Sequence, residues 1–468
     1  MNCKKGDKMG ILKTMFLLNK LNKNTKKSKE QLQLEQDKKL RKLLQYAFDH
    51  SAYYRRTFEE NGIDKDSIST LPLSSFPSIN KTILFEHFDE ISTQPDLHQE
   101  ELQRFDKTEM DHSKLFQNKY HIVHSSGSTG TPRYFAYDES AWNILIAAVI
   151  RAACWEMSTT QILCRAAKGL RILYVAATEQ RVGGAMLVGS GVDGAGGKKL
   201  YLDVNTPLPE WSKRIREFNP NMIIGYPSAI KILAGIVEKG NISLDVFRVV
   251  SCAEPLGASL RNYFEKVFHS KVINFYGASE SLALGVESDS EEGMFLFDDL
   301  NVIEVENGKT YLTALYNFSQ PLIRYELTDT ISLQEPDKKS ECQFTKAVGL
   351  LGRTEDVLWF KNDKGVIDFL HPLAIDSFCI KGLSDYQFRP LSKNSLEMLA
   401  ETTKTADIEY VRNEVLKLMD DVLKEKGLEY VKFSIRFVDE IAPNPITGKK
   451  QLIDVPRVSV GELKHKSA

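Results

Sequence analysis

The chain has 468 residues, 42% hydrophobic and 26% charged, with 61 basic against 63 acidic side chains. That length exceeds one typical core and implies two or more domains, while the balanced charge excludes a global pull towards nucleic acid or anionic membrane. The six cysteines (Cys3, Cys154, Cys164, Cys252, Cys342, Cys379) are scattered with no C-x-x-C pair, which argues for reduced thiols and against a disulfide framework or zinc site. No apolar run approaches the ~18–20 residues of a membrane span, so the expected setting is cytoplasmic.

Residues 1–31 carry nine lysines against Asp7 and Glu30, around an apolar patch, Met15-Phe16-Leu17-Leu18. The apolar stretch is too short for a signal peptide and no small-residue cleavage site follows it. Because Lys13, Leu17 and Lys20 share one helical face, the segment reads as a frayed, solvated tail. The alternative is a surface helix touching anionic lipid or a partner. Ser28 with Gln31 forms a capping box for a helix running through Leu40, Leu43 and Leu44 towards Ser51. Leu71-Pro72-Leu73 and Phe76-Pro77 read as ordered connections, before a charged helical stretch that ends about Ile91.

The stretch His124-Ser125-Ser126-Gly127-Ser128-Thr129-Gly130-Thr131-Pro132-Arg133 combines hydroxyls, glycines and a cation. Small residues leave backbone N–H groups accessible, hydroxyls add donors, and the arginine adds charge, as a polyphosphate-binding loop requires. G-x-x-x-x-G-K-[ST] cannot be aligned to it, and a polar surface turn is the alternative. A long apolar helix around Trp142–Trp155 follows, then a buried strand, Arg171-Ile172-Leu173-Tyr174-Val175-Ala176. Gly189-Ser190-Gly191-Val192-Asp193-Gly194 matches G-x-G-x-x-G formally, but no helical pattern opens after it, so it reads as a loop.

Residues 221–280 give strand, helix, strand, helix, strand: Met222–Tyr226, Ser228–Lys239, Val246–Val250, Leu256–Phe268, Lys271–Tyr276. This spacing predicts a parallel, right-handed α/β sheet, and such sheets bind ligands outside their carboxyl strand ends. There lie Gly225-Tyr226-Pro227, Cys252-Ala253-Glu254-Pro255 and Tyr276-Gly277-Ala278-Ser279-Glu280. Alternating residues on either side of Asn307-Gly308 predict a hairpin. Pro321–Asp329 and Gly352-Arg353-Thr354-Glu355-Asp356 follow. Beyond them a small α+β unit is expected, with a strand pair around Asp363-Lys364-Gly365, a helix over Ile408–Lys424 and a strand over Lys432–Val438. Pro443-Asn444-Pro445-Ile446-Thr447-Gly448-Lys449-Lys450 then presents lysine on a loop. The predicted fold is α/β: a large domain over 1–352 with parallel sheets, helices and a hairpin-rich part, and a small, mobile α+β domain over 353–468.

Taken in order, these motifs resemble the adenylate-forming superfamily of acyl-CoA synthetases, peptide-synthetase adenylation domains and luciferases. Tyr53-Tyr54-Arg55, Leu71-Pro72 and Ala253-Glu254-Pro255-Leu256 are most similar to its phenylacetate–CoA ligase and capsule-biosynthesis branch. The resemblance runs from about residue 40 to 455. It implies that Ser125, Ser126, Gly127, Ser128, Thr129 and Gly130 hold the β- and γ-phosphates of ATP, with Arg133 where the family has lysine. Ala253, Glu254 and Pro255 would form the turn beside adenine. Tyr276, followed by Gly277 and Ser279, would lie against the ring, and Glu280 would bind Mg²⁺. Asp329 would accept from the ribose hydroxyls, Arg353 would contact the nucleotide, Glu355 would sit at a hinge, and Lys449 would assist adenylation. Such residue types suit the reaction, in which a carboxylate attacks a phosphate and cations must offset the gathering negative charge.

The segment Val357-Leu358-Trp359-Phe360-Lys361-Asn362-Asp363-Lys364-Gly365 departs from the better-known synthetases, which have a lysine and a glycine sooner. Three readings therefore stand: an acid–thiol ligase using coenzyme A, an adenylating ligase with an amine, sugar or protein acceptor, and a non-catalytic nucleotide-binding protein. The acid would be aryl or aliphatic, in a pocket between Tyr226, Ala253, Phe275 and Val182–Gly184. A Cys–His catalytic pair is not supported, and His124 could equally pack under its loop.

Overall fold

The structure is a computed structural model that describes residues 5–109, 111, 114–124, 133–176, 186, 197–203, 206, 208–240, 242–254, 256–288, 291–348, 358–361, 367–370, 375, 378, 380–425, 427–442 and 452–454. Residues up to 350, apart from 257–260, form one compact unit, and those from 351 onward belong to a second.

The larger unit is mixed α/β, as the periodicities imply. Among the described residues its main sheet has nine strands. Met222–Gly225 pairs in parallel with Arg248–Cys252, which pairs in parallel with Val272–Ala278. Arg171–Ala176 and Lys198–Asp203 continue the parallel run on the other side. Buried strands such as Arg171–Ala176, whose last five residues are all buried, need covering on both faces, and helices such as Pro227–Glu238 and Ala258–Phe268 connect them. Beyond Val272–Ala278 the sheet turns antiparallel: Ser281–Glu287 follows through a tight turn and pairs in turn with Met294–Leu296.

A separate hairpin, Asn301–Glu306 with Lys309–Ala314, turns at Asn307 and Gly308, both with positive φ (52° and 76°). Those are the dihedrals that a two-residue primed turn needs, and Asn-Gly supplies them cheaply.

The capping box forms as read: Ser28 Oγ accepts from the Gln31 N–H, the Gln31 side chain accepts from Ser28 N–H, and the helix spans Lys29–His50. Tyr54, at the start of the next helix, donates to the Pro321 carbonyl at 3.0 Å and accepts from Ile323 N at 3.2 Å. It thereby ties the N-terminal helices to the segment leading to Asp329.

The basic N-terminus differs from the frayed tail expected of it. Lys5–Asn24 is one helix. Thr14, Leu21 and Asn24 are buried and Leu17 and Leu18 half-buried, in i, i+3/i+4 register. Its end is fixed by a polar cluster: Asn24 Nδ2 donates to Asp299 Oδ2 (2.9 Å), and Arg151 donates to both Asp299 oxygens (2.8 and 3.0 Å) and to the Leu21 carbonyl (3.1 Å). Asp299 is held below its ordinary pKa against the effect of burial, chiefly by Arg151. The inward face was hidden in the sequence because its partners lie more than a hundred residues away.

In the second unit Leu358–Lys361 pairs with Ile367–Leu370, and Ser395–Thr402 pairs antiparallel with Leu383–Ser392 and parallel with Lys432–Val438. The helix Ile408–Glu425 buries Val411, Val415 and Met419 at helical spacing in that unit's core.

Candidate active site

The three strand-end motifs do fall on neighbouring strands, at one edge of the parallel part of the sheet. Each turn there has a specific physical constraint. At Gly225 a Cβ would lie 2.0 Å from the Val175 carbonyl oxygen, so only glycine lets Tyr226 N–H reach that same oxygen at 3.1 Å. Ala253 sits at φ +67°, left-handed for a residue with a Cβ. Such a conformation costs about 1–2 kcal/mol and collects at functional sites.

Glu254 does not point away as a free ligand group. Its carboxylate accepts from Ser228 N–H (3.0 Å) and Ser228 Oγ (3.0 Å), at the N-terminus of the Pro227–Glu238 helix. This is the end where negative charge is favoured. The glutamate thus locks one strand-end turn to the next.

The third motif is a hairpin. Ala278 pairs with Ser281, so Ser279 and Glu280 form the turn and no helix follows. Glu280 is therefore not the helix-start acid that a strand–helix reading would allow. The hairpin carries an irregularity between Tyr276 and Ala278. At Gly277, between them, a Cβ would meet the Leu282 carbonyl oxygen at 2.6 Å. Gly277→Ala is expected to destabilise the chain by about 1–3 kcal/mol, the range for an overpacked site, read as a lower urea midpoint.

Below the turn, Tyr137 Oη donates to the Ser279 carbonyl at 2.7 Å, and Ser281 Oγ is held by Asn301 (2.9 Å) and Tyr316 (2.8 Å). The Glu280 backbone is thus fixed by buried groups that cannot relax into solvent.

Two of the predicted ligands meet directly. Tyr276 Oη donates to Asp329 Oδ2 at 2.7 Å, and the Tyr276 ring is only 8% exposed. Glu280 lies in the same neighbourhood. Its carboxyl is pushed above the usual glutamate value, first by burial and further by the Asp329 charge; Lys81 and Tyr325 act in the opposite direction. The Tyr325 hydroxyl in turn is raised by burial and by Glu280, with Arg133 opposing.

Arg133 is anchored rather than loose. Its Nε donates to the Lys81 carbonyl at 3.0 Å and its guanidinium lies 4.4 Å from the centre of the Phe85 ring. It therefore steadies the Lys81–Glu86 helix, which begins with Lys81. Lys81 is the site residue that sequence reading missed. Its local setting, behind the N-cap Asn80, is that of any helix start, and only in the folded chain does its charge lower the Glu280 pKa.

The strands on either side of the serine–glycine loop are paired, with His124 opposite Tyr134. Buried Gln320 and Asn317 bond the backbone of the second strand at Tyr134 and Ala136. His124 is buried at 4% exposure, with its Nε2 3.9 Å from Asp106, in keeping with the packing alternative. Ser125, Ser126, Gly127, Ser128, Thr129, Gly130, Pro255, Arg353, Glu355 and Lys449 lie outside the described residues, as do Gly189–Gly194 and Val182–Gly184. The described part of the acid pocket has Tyr226 buried and Phe275 half-buried.

The donor set around Glu280 is all oxygen, from carboxylates and a phenol. Among the described residues no group of three or more His, Cys, Asp and Glu gathers to hold a metal. A Mg²⁺ ion needs no such cage, since it keeps several waters and binds through one or two carboxylates plus substrate phosphates. One half-buried glutamate whose charge is unfavourable beside Asp329 fits that pattern.

No family model matches the sequence. Protein CapK of Staphylococcus aureus is 21% identical over 439 residues, spanning 89% of this chain and 87% of that protein. A phenylacetate-coenzyme A ligase of Thermus thermophilus is 25% identical over 355 residues, spanning 70% and 72% respectively. Among solved structures, 2-hydroxyisobutyryl-CoA ligase in the postadenylation state, with a bound acyl-AMP, superposes with a TM-score of 0.71 at 17% identity, covering 93% of this chain and 92% of that one.

Proposed function

We propose that this chain, a member of the adenylate-forming superfamily, activates a carboxylic acid with ATP as an acyl adenylate, releases pyrophosphate, and passes the acyl group to a thiol, coenzyme A in our reading. The observation that carries the proposal is the Tyr276–Asp329 hydrogen bond at the carboxyl end of a parallel strand, with Glu280 in the turn that closes the same strand. Two curated relatives, one of them a coenzyme A ligase by name, support the same reading.

Each residue then has a task. Asp329, oriented by the Tyr276 hydroxyl, accepts from the ribose. The turn at Ala253 and Pro255 offers backbone to the adenine edge, while Glu254 holds that turn in place. Lys81 and Arg133 bring positive charge to the phosphate side, and the Ser125–Gly130 loop contributes N–H and hydroxyl donors. Lys449 adds a mobile point charge to the α-phosphate as the acid's oxygen attacks. Glu280 and phosphate oxygens would hold Mg²⁺, which when bound offsets the charge on the departing pyrophosphate. The acid enters beside Tyr226, Ala253 and Phe275, whose apolar surfaces suit an aryl or aliphatic chain.

The acceptor is tested by offering one activated acid either coenzyme A or hydroxylamine. The expected result is a coenzyme A thioester. Trapping by hydroxylamine with no thioester would transfer the proposal to an amine, sugar or protein acceptor. The departure at Val357–Gly365 is the observation that keeps this reading in play.

A further inference from the structure

The helix Lys5–Asn24 is held to the body by its inward face, yet its outward face remains apolar in part. Phe16 is 69% exposed and Met15 57%. Asn19, Lys20, Asn22 and Lys23 on the outer side are exposed as well, and Lys13 pairs only loosely with the exposed Glu139, at 3.6 Å. Residues 1–31 carry nine lysines and two acids in a chain whose total charge is nearly balanced. Of these, Lys13, Lys20 and Lys23 are exposed on the helix that also presents Phe16. The Arg151–Asp299–Asn24 cluster fixes the end of the helix, so Phe16 cannot be covered by the helix simply rolling inward.

We infer that this helix is a docking surface for an anionic lipid bilayer, with Met15 and Phe16 entering the interface and the lysines meeting lipid headgroups. The composition is that of a helix lying in an interface plane, apolar wedges among basic residues with long stems. Two features favour lipid over a protein groove. Met15 and Phe16 are adjacent and do not form the i, i+3/i+4, i+7 row that a groove reads. A fluid interface accepts such wedges without shape matching, and lysines near an anionic surface add to the attraction independently of their exact geometry.

The test is sedimentation of the full chain with vesicles of phosphatidylcholine alone or mixed equally with phosphatidylglycerol. The expected result is binding to the mixed vesicles only, weakening as salt is raised. Met15→Ser/Phe16→Ser and, separately, Lys13→Gln/Lys20→Gln/Lys23→Gln should each weaken it by about tenfold or more. All these side chains are exposed, and an unchanged thermal midpoint verifies folding of both variants. Equal binding by wild type and variants, or no preference for the anionic vesicles, would overturn the inference. So would a dimer in solution that Met15→Ser/Phe16→Ser converts to monomer, since a second copy would then be what covers the face.

Discussion

Glu280→Gln is expected to lower carboxylate-dependent pyrophosphate–ATP exchange by about 100–1000-fold, the usual cost of removing one group aimed at developing charge, and at the same time to stabilise the folded chain at alkaline pH. The second effect follows from the direction of the pKa shift. Burial and the Asp329 charge hold the Glu280 carboxyl above its ordinary value of 4.5, so the folded state binds this proton more tightly than the unfolded state does. The stability contributed by the group is complete below 4.5 and is lost as pH rises through the elevated folded value. Glutamine carries no such liability. The variant's thermal midpoint should therefore exceed that of the wild type at alkaline pH, and the two should converge in acid. Loss of activity with a gain in stability is the signature of a group kept for function at the expense of folding. A variant that exchanges normally would remove Glu280 from the reacting site. One that is less stable at every pH would make the glutamate a structural residue.

Lys449→Ala is expected to reduce the same exchange by about 100–1000-fold while leaving far-ultraviolet circular dichroism unchanged. The neighbouring Lys450 provides the control. Were the Pro/Gly-rich loop just a solvated basic surface, alanine at either position would have the same small effect. A large loss at Lys449 alone assigns a point charge to one position. Arginine at 449 should restore little, because a planar guanidinium does not replace a compact ammonium in a crowded phosphate site. Exchange indifferent to Lys449 would remove its role and leave Lys81 and Arg133 as the cations of the phosphate side.

The parts of the fold that could be read in advance are those specified locally. Periodicity located the strands at Met222–Gly225 and Val272–Ala278 and the helices between them, and the Asn307-Gly308 dipeptide specified its hairpin through φ alone. Ser28 and Gln31 announced a helix start by reciprocal bonding. What escaped was set by distant partners. The Lys5–Asn24 helix looks impure as an amphipath because part of its inward face is polar, and Asn24 is buried only because Asp299 and Arg151 receive it. Lys81 carries no local mark; it bears on the site through its charge, which lowers the Glu280 pKa, and through its carbonyl, which accepts from Arg133. Glu254 reads only as part of the turn beside adenine, and the use of its carboxylate by Ser228 carries no local sequence mark. The turn at Ser279 and Glu280 was expected to be one strand end among three, yet it closes a hairpin. A strand that continues into a helix and one that continues into a tight turn look alike until the following residues are paired.

The most direct test of adenylation is pyrophosphate–ATP exchange by the full chain, screened over aryl, fatty and amino acids with Mg²⁺ present. Exchange that requires one class of acid, and that disappears in Glu280→Gln, is the predicted result. ATP binding without exchange for any acid, in a chain whose thermal midpoint rises with the nucleotide, would contradict it and make the protein a nucleotide-binding scaffold on an adenylating fold.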